Sequence, residues 1–409
     1  MDIWLLKLDS AGDTSWARTY GGPSLDQAYD VKQTSHGDYI ISGCVAESTG
    51  PQACLTRVKE DGDLLWTREY GLGVAYSVQP TSDGGFIAGG ENQTSMRGDF
   101  WLIKVDADGD TEWTRTYGGT DDDLGWSVQQ ASDGGYVLVG QTQSFGAGWW
   151  DVMLWKVDAE GNTLWVRTYG GPRYEVGFWD CLDRTSDGGY AIVALTGSFG
   201  VGGDAWLIRT DENGDSLWSR LYGGELNDGG YSVHQTLDGG FIVAGTTGSL
   251  APADSNDLWL VRTSSTGELL WQGAYGGRRA EEGFCVTQTR DSGYVATGWT
   301  ASFGAGGADV YVVKVKEPPV GVAEQPTAYA SRPAPNATIV RGVLSLPQAS
   351  GVKRGASSVL LDISGCKVLD LVHGTNDVSQ LAPGVYFVRE EPQAASPELR
   401  AVWKVVVTR

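Results

Sequence analysis

The sequence predicts an all-β fold built from repeated four-stranded units, and three observations carry that prediction. First, the stretch 101–119 (WLIKVDADGDTEWTRTYGG) recurs at 4–22 and 206–224. The tryptophan of its second half returns at Trp16, Trp66, Trp113, Trp165, Trp218 and Trp271, spaced by 50, 47, 52, 53 and 53 residues. Second, a turn followed by a β-rich run sits between these tryptophans: TSHGDYIISG (34–43), TSDGGFIAGG (81–90), ASDGGYVLVG (131–140), TSDGGYAIVA (185–194), TLDGGFIVAG (236–245) and TRDSGYVATG (289–298). Third, no segment sustains a capped 3.6-residue apolar period, so no helix is expected. Self-similarity at a fixed period is the mark of a repeat architecture.

Residues 125–169 show the strands of one period in order. GWSVQQAS alternates and ends at Asp133-Gly134-Gly135, a tight hairpin signal. YVLVGQT opens with a continuous apolar run, as a strand covered on both faces does. DVMLWKVD follows a Gly-rich loop, and AEGN turns the chain into TLWVRTYGG. Four short antiparallel strands repeated at about 50 residues describe β-propeller blades, whose radial stacking covers both faces of each sheet. Burying one tryptophan removes roughly 150–250 Å² from water, about 4–6 kcal/mol as an upper bound.

With strands named A to D from the axis outward, residues 28–70, 75–117, 125–169, 178–222 and 230–275 are expected to be complete blades. Residues 283–316 supply A, B and C of a sixth, and residues 2–20 supply only C and D. Strand 3–8 duplicates strand 309–315, so the expectation is seven blades in the intact gene. A first A–B hairpin and a closing D strand would then lie upstream of Met1.

Charge divides the chain. Residues 1–316 hold 21 Lys+Arg against 43 Asp+Glu, and residues 317–409 hold 9 against 8. An acidic body repels phosphate backbones, which argues against nucleic acid as a partner. No run of eighteen apolar residues suggests a transmembrane segment. The expected domains are a propeller at 1–316, a Pro/Ala-rich linker at 317–334 and a small C-terminal β-sandwich at 335–409, with strand candidates 343–347, 358–364, 384–390 and 402–408.

The segments LLDISGCKVLDL (360–371), LAPGVYFVRE (381–390) and KVVVTR (404–409) resemble the C-terminal sorting domain of type IX secretion substrates. In that family a YDISGR-like strand precedes an L-x-PGVYFV strand and a final Lys-led apolar strand. Asp362, Ser364, Gly365, Pro383, Gly384, Tyr386 and Lys404 match the pattern, and Pro335-Asn336 resembles its opening. Leu361, Cys366 and Ala337 depart from it. The resemblance implies a bacterial protein exported to the cell surface or beyond, with the type IX machinery as partner. Such cargo carries a signal peptide, and none is visible after Met1, a second reason to expect an N-terminal truncation. The repeats themselves look like those of large secreted propellers with WLIKTD-x-x-G and TSDGGY motifs, which implies a fold and no ligand.

Candidate chemistry is sparse. The D-x-x-G-D-T-x-W turns (Asp9 to Trp16, Asp106 to Trp113) resemble the Asp-box of sialidase-like propellers but are one residue too long. They read as hairpins whose Asp satisfies local backbone N–H groups. Calcium at acidic loops such as 106–112 is the one metal reading, though the Gly and distant Glu of an EF-hand loop are missing. His36, His234 and His373 fall in unrelated positions and make no zinc pair. No G-x-S-x-G elbow is present. Cys44 ends a B strand and Cys54 starts the neighbouring C strand, so a disulfide across that loop is a candidate.

The variable loops are the D–A and B–C connections at one end of the strands, and variable loops on a rigid scaffold commonly carry function. Trp149 and Trp150 stand out, because they do not repeat and paired aromatics suit stacking on sugars or a partner surface. Asp121, Asp122, Asp123, Arg173, Tyr174, Glu175, Arg278 and Arg279 complete the candidate face. Phe145, Phe199 and Phe303 repeat and read as packing. The expected role is a non-catalytic binding or scaffold module for a glycan or surface protein, without a cofactor. The alternative is a carbohydrate-active hydrolase or lyase, because fold does not determine function. A facing acid pair in a cleft on the loop face would favour the enzyme.

Overall fold

The computed structural model describes residues 2–93, 98–252 and 255–316, and the backbone of seven further strands between 338 and 407. Alternating residues broken by glycine turns give short antiparallel strands, and no helix occurs among the described residues. None of them is therefore in a helix long and apolar enough to cross a membrane.

Blade I consists of Leu25–Gln33, Tyr39–Glu47, Gly50–Val58 and the first half of Leu64–Pro80. The second half of that long strand is strand A of blade II, followed by Phe86–Asn92, Asp99–Val105 and Thr111–Tyr117. Blade III is Asp123–Gln130, Tyr136–Thr142, Asp151–Val157 and Thr163–Tyr169. Blade IV has a divided strand A (Glu175–Val176 and Leu182–Arg184), then Tyr190–Thr196, Asp204–Thr210 and Ser216–Tyr222. Blade V is Asp228–Gln235, Phe241–Thr247, Asp257–Thr263 and Leu269–Tyr275. Blade VI has three strands, Glu281–Gln288, Gly293–Thr300 and Asp309–Lys316. The hairpin Ile3–Leu8 with Thr14–Tyr20 precedes blade I.

The recurring D-strand residues each meet the following blade. The six tryptophans pack against the aromatic that opens the next strand B: Trp16 on Tyr39, Trp66 on Phe86, Trp113 on Tyr136, Trp165 on Tyr190, Trp218 on Phe241 and Trp271 on Tyr294, with centroids 5.7–6.4 Å apart. The tyrosine four residues on donates its hydroxyl to a glycine carbonyl in the next C–D turn, as Tyr117 does to Gly161 at 2.8 Å and Tyr222 to Gly267 at 2.6 Å. Gly161 has φ +82°, and a Cβ there would lie 3.1 Å from Trp113. The motif therefore recurs because each blade must seat the next.

Strand A carries the axis. At each bulge in strand A one residue falls out of the ladder, and it is aromatic: Tyr29, Tyr76, Trp126, Tyr231 and Phe284. With Phe178 and Trp179 from blade IV these rings form a connected collar, centroids 4.6–6.5 Å apart. A glycine faces each bulge from strand B. A Cβ on Gly140 would sit 1.9 Å from the Leu124 carbonyl oxygen. Blade IV has Ala194 at this register position, and there strand A is interrupted by residues 177–181. Asp180, from the interruption, accepts from Ser232 Oγ at 2.8 Å and pairs with Lys32 of blade I at 3.4 Å, which ties three blades together near the axis.

The disulfide expected between Cys44 and Cys54 does not form, and both thiols are free and buried. Cys54 pairs with Gly43 and Cys44 with Ala53, one register step apart. Adjacent register positions point to opposite faces of a sheet, so the two sulfurs do not meet.

The chain divides into two compact units, Met1–Tyr329 and Ala330–Arg409. In the second, the strands Thr338–Val340, Val402–Val407, Gly384–Glu390, Ser358–Leu361 and Lys367–Leu371 form one sheet in that spatial order. Val343–Leu346 pairs with Gly374–Asp377 in another. Gly384 and Tyr386 lie opposite Val407 and Val405, and Lys404 opposite Phe387. Asp362, Ser364, Gly365 and Pro383, like the linker 317–334, lie outside the described residues.

Candidate functional site

The loops joining D to A share one anchoring scheme. An acid at the start of strand A reaches back to its own loop and across to strand B. Asp123 accepts from Gly119 N at 2.7 Å, from Ser144 Oγ at 2.7 Å and from the Thr142 hydroxyl. Glu175 accepts from Gly171 N at 2.8 Å, Thr196 Oγ1 at 2.8 Å and Ser198 N at 3.2 Å. Asp228 and Glu281 repeat the pattern through Gly224, Thr247 and Ser249, and through Gly277, Thr300 and Ser302. Asp123 and Glu175 were expected to be particular to their loops and available to a ligand. Both are fully buried and occupy equivalent positions in consecutive blades, because a carboxylate is what satisfies these loop donors.

On this anchored backbone the outward side chains vary. The N–H two residues after the second glycine is held by a serine hydroxyl at Asp121, Arg173, Leu226 and Arg279, at 2.8–3.0 Å. One rigid backbone position therefore presents an acid, a guanidinium, a leucine and a second guanidinium in successive blades. Arg278 is the exposed neighbour of Arg279, and Asp122 receives Gly98 N at 3.3 Å.

The structure brings Trp149 and Trp150 beside Arg173 and Tyr174. Trp149 N donates to Arg173 O at 2.7 Å, Glu175 N donates to Trp150 O at 2.7 Å, and Trp150 bridges Tyr174. Asp151 Oδ2 receives Ala147 N at 2.7 Å and Gly148 N at 3.0 Å, which fixes the loop leading to the tryptophans. Other blades place Gly98, Gly203 and Asn256 where blade III has Trp150. Trp149 is 78% exposed on this constrained backbone. Phe145, Phe199 and Phe303 instead pack on Trp155, Trp206 and Tyr311.

The acidic C–D turns use their own aspartates. Asp106 Oδ1 accepts Asp108 N and Asp110 N at 2.9 Å, and Asp158 and Asp211 do the same in their turns. Among the described residues no group of three or more His, Cys, Asp or Glu converges as a metal site. Two concavities stand out among the described residues. One of about 430 Å³ lies on the loop face beside Gly224, Leu226, Ser249 and Trp259. The other, about 480 Å³, lies at the axis between Tyr29, Val31, Trp179, Phe284 and Val310. The collar residues went unread in the sequence, although an Ala or Gly precedes the aromatic in all six A segments.

Sheets seated face to face around an aromatic-lined axis, with one end carrying variable loops, define a β-propeller. No protein-family model and no curated protein matches the chain. Among solved structures it is similar to a protein of unknown function from Dyadobacter fermentans DSM 18053, at 10% identity over 71% of this chain and 94% of the other, with a TM-score of 0.47. It is also similar to the periplasmic gluconolactonase of Pseudomonas aeruginosa, at 12% identity over 76% and 94%, with a TM-score of 0.46. A third is the β-propeller domain of the Trilobed protease from Pyrococcus furiosus, at 11% identity over 70% and 81%, with a TM-score of 0.41. These likenesses concern the fold alone.

Proposed function

We propose that this chain is an exported, non-catalytic β-propeller that binds a glycan or a surface protein through its D–A and B–C loop face, centred on Trp149 and Trp150. The observation that carries the reading is the exposed Trp149 on a backbone held by hydrogen bonds from two loops. An aromatic ring with little left to immobilise loses little entropy on binding, and its face suits the apolar side of a sugar or a partner side chain. Arg173 and Arg279 add charge-assisted donors on the same scaffold. The hydrolase or lyase alternative asks for facing acids open to a cleft. The strand A acids of this end, Asp123, Glu175, Asp228 and Glu281, are buried under the loops and recur from blade to blade, which favours seating over catalysis. Export rests on the resemblance of residues 335–409 to type IX sorting domains, with the secretion machinery as that unit's partner.

The test is a glycan and surface-protein screen with the full chain and with Trp149→Ala/Trp150→Ala. Loss of at least tenfold in affinity with an unchanged unfolding midpoint is expected. Equal binding by the double variant removes these tryptophans from the site.

A further inference from the structure

The acids that anchor the D–A loops are not alone. Each has a second acid beside it, from the start of strand C of the preceding blade: Asp99 with Asp123, Asp151 with Glu175, Asp204 with Asp228 and Asp257 with Glu281. The first glycine of the Y-G-G motif lies between them. A Cβ on Gly170 would sit 1.6 Å from Asp151 Oδ1 and 2.6 Å from Glu175 Oε2. On Gly276 it would sit 2.2 Å from Asp257 Oδ1 and 2.5 Å from Glu281 Oε2. Gly118 and Gly223 stand in the same relation to the other two pairs. The glycine is what lets two carboxyl groups approach.

Two like charges flanking one glycine, shielded from water, disfavour each other's ionised form. Asp151 is 1% exposed and Asp257 5%, and Oδ1 of each is buried without a hydrogen-bond partner. No lysine, arginine or histidine among the described residues is ion-paired with any of the eight acids. The charged or titratable neighbours are themselves acidic: Asp122 beside Asp99, and the Tyr311 phenol beside Asp257 and Glu281. The strand A acid already accepts three or more donors in each loop, as Glu281 does from Gly277, Thr300 and Ser302. Asp257 Oδ1, buried beside it, has none. Blade I to blade II provides an internal comparison. There Gln52 stands at the register position of Asp151, and Gly73 at that of Asp123, so both acids are absent together.

We propose that the Asp257–Glu281 junction is a proton-binding site, in which Oδ1–H of Asp257 donates to the Glu281 carboxylate of the next blade and seats the two blades. No bond is made or broken beyond the transfer of that proton to or from water. Burial, then the Glu281 charge, pushes the Asp257 carboxyl up to about 7, and burial followed by the neighbouring acid also raises Asp99 and Asp204. A raised folded-state pKa means that the folded ring binds more protons than the unfolded chain above about pH 4. Stability is then lost as pH rises through about 7.

The experiment uses the full chain, with infrared spectroscopy for the protonated carboxyl band and urea unfolding by tryptophan fluorescence at pH 5 and 8. The expected result is a protonated carboxyl band in the wild type at pH 5 that fades by pH 8, with a lower urea midpoint at pH 8. Asp257→Asn keeps a donor at Asp257 and should weaken the band and narrow the difference between the two midpoints. Exposed Asp108→Asn should change neither. Absence of the band from the wild type at pH 5 overturns the proposal, whether or not the variants fold. So does stabilisation at pH 8 by calcium and its reversal by chelator, because the pair would then hold a cation in place of the proton.

Discussion

Replacing Gly140 with alanine tests the seating of strand A at the bulge. A Cβ at this position would lie 1.9 Å from the Leu124 carbonyl oxygen and 2.2 Å from Phe100 Cζ. The oxygen is backbone and Phe100 is fully buried, so neither can swing aside as the tip of a flexible side chain would. Strand A must retreat from strand B by more than an ångström, or the bulge that aims Trp126 must open. Overpacking of this kind costs about 1–3 kcal/mol. Alanine recovers part of that, about 0.4–1 kcal/mol, by restricting the unfolded chain. A net loss of about 1 kcal/mol lowers the melting temperature of a body this large by roughly 1–2 °C. Differential scanning calorimetry on the full chain measures it, with Gly22→Ala as the control, because a Cβ on Gly22 meets nothing within 4 Å. Equal melting temperatures for the two variants would refute the claim that close backbone approach, rather than glycine flexibility, dictates glycine at this position. Blade IV supports the reasoning in advance: Ala194 occupies the site and strand A is broken opposite it.

Tyr117→Phe removes the buried hydroxyl that donates to Gly161 O and should cost about 1 kcal/mol by urea unfolding, without altering the strand content seen by circular dichroism. At Asp83 burial works to raise the carboxyl, but the Thr81 hydroxyl and the Lys104 ammonium outweigh it and hold it at about 2. The unfolded value lies near 4, so this carboxylate contributes stability above pH 4 that is lost as pH falls toward 2. Asp83→Asn should flatten the acid limb of the urea midpoint between pH 5 and 2, opposite in direction to Asp257.

The strands were legible because their limits are local. Asp133-Gly134-Gly135 forces a turn wherever it occurs, and the apolar run after it needs cover on both faces. The candidate tryptophans were legible for a related reason: Trp149 and Trp150 break a repeat, and a departure from a pattern shows in one dimension. Asp123 and Glu175 were misread because the loops before them differ in composition. Counting four residues on from the second glycine would have aligned them with Asp26, Asp228 and Glu281. The Cys44–Cys54 pairing failed on a single register step, which the spacing of the two cysteines does not reveal.

By itself, then, the sequence determined an all-β repeat, its strand positions and the end at which variation collects. Periodicity, turn glycines and apolar patterning act over a few residues and need no partner to be read. Only the tertiary structure decided that Trp113 meets Tyr136, that the bulge aromatics converge on an axis, and that Asp151 faces Glu175 across a glycine. Each of those contacts is made by radial stacking, which joins residues about 20 to more than 100 positions apart. Their energy comes from burial and from the low dielectric of the junction, and neither exists until two blades have closed on each other.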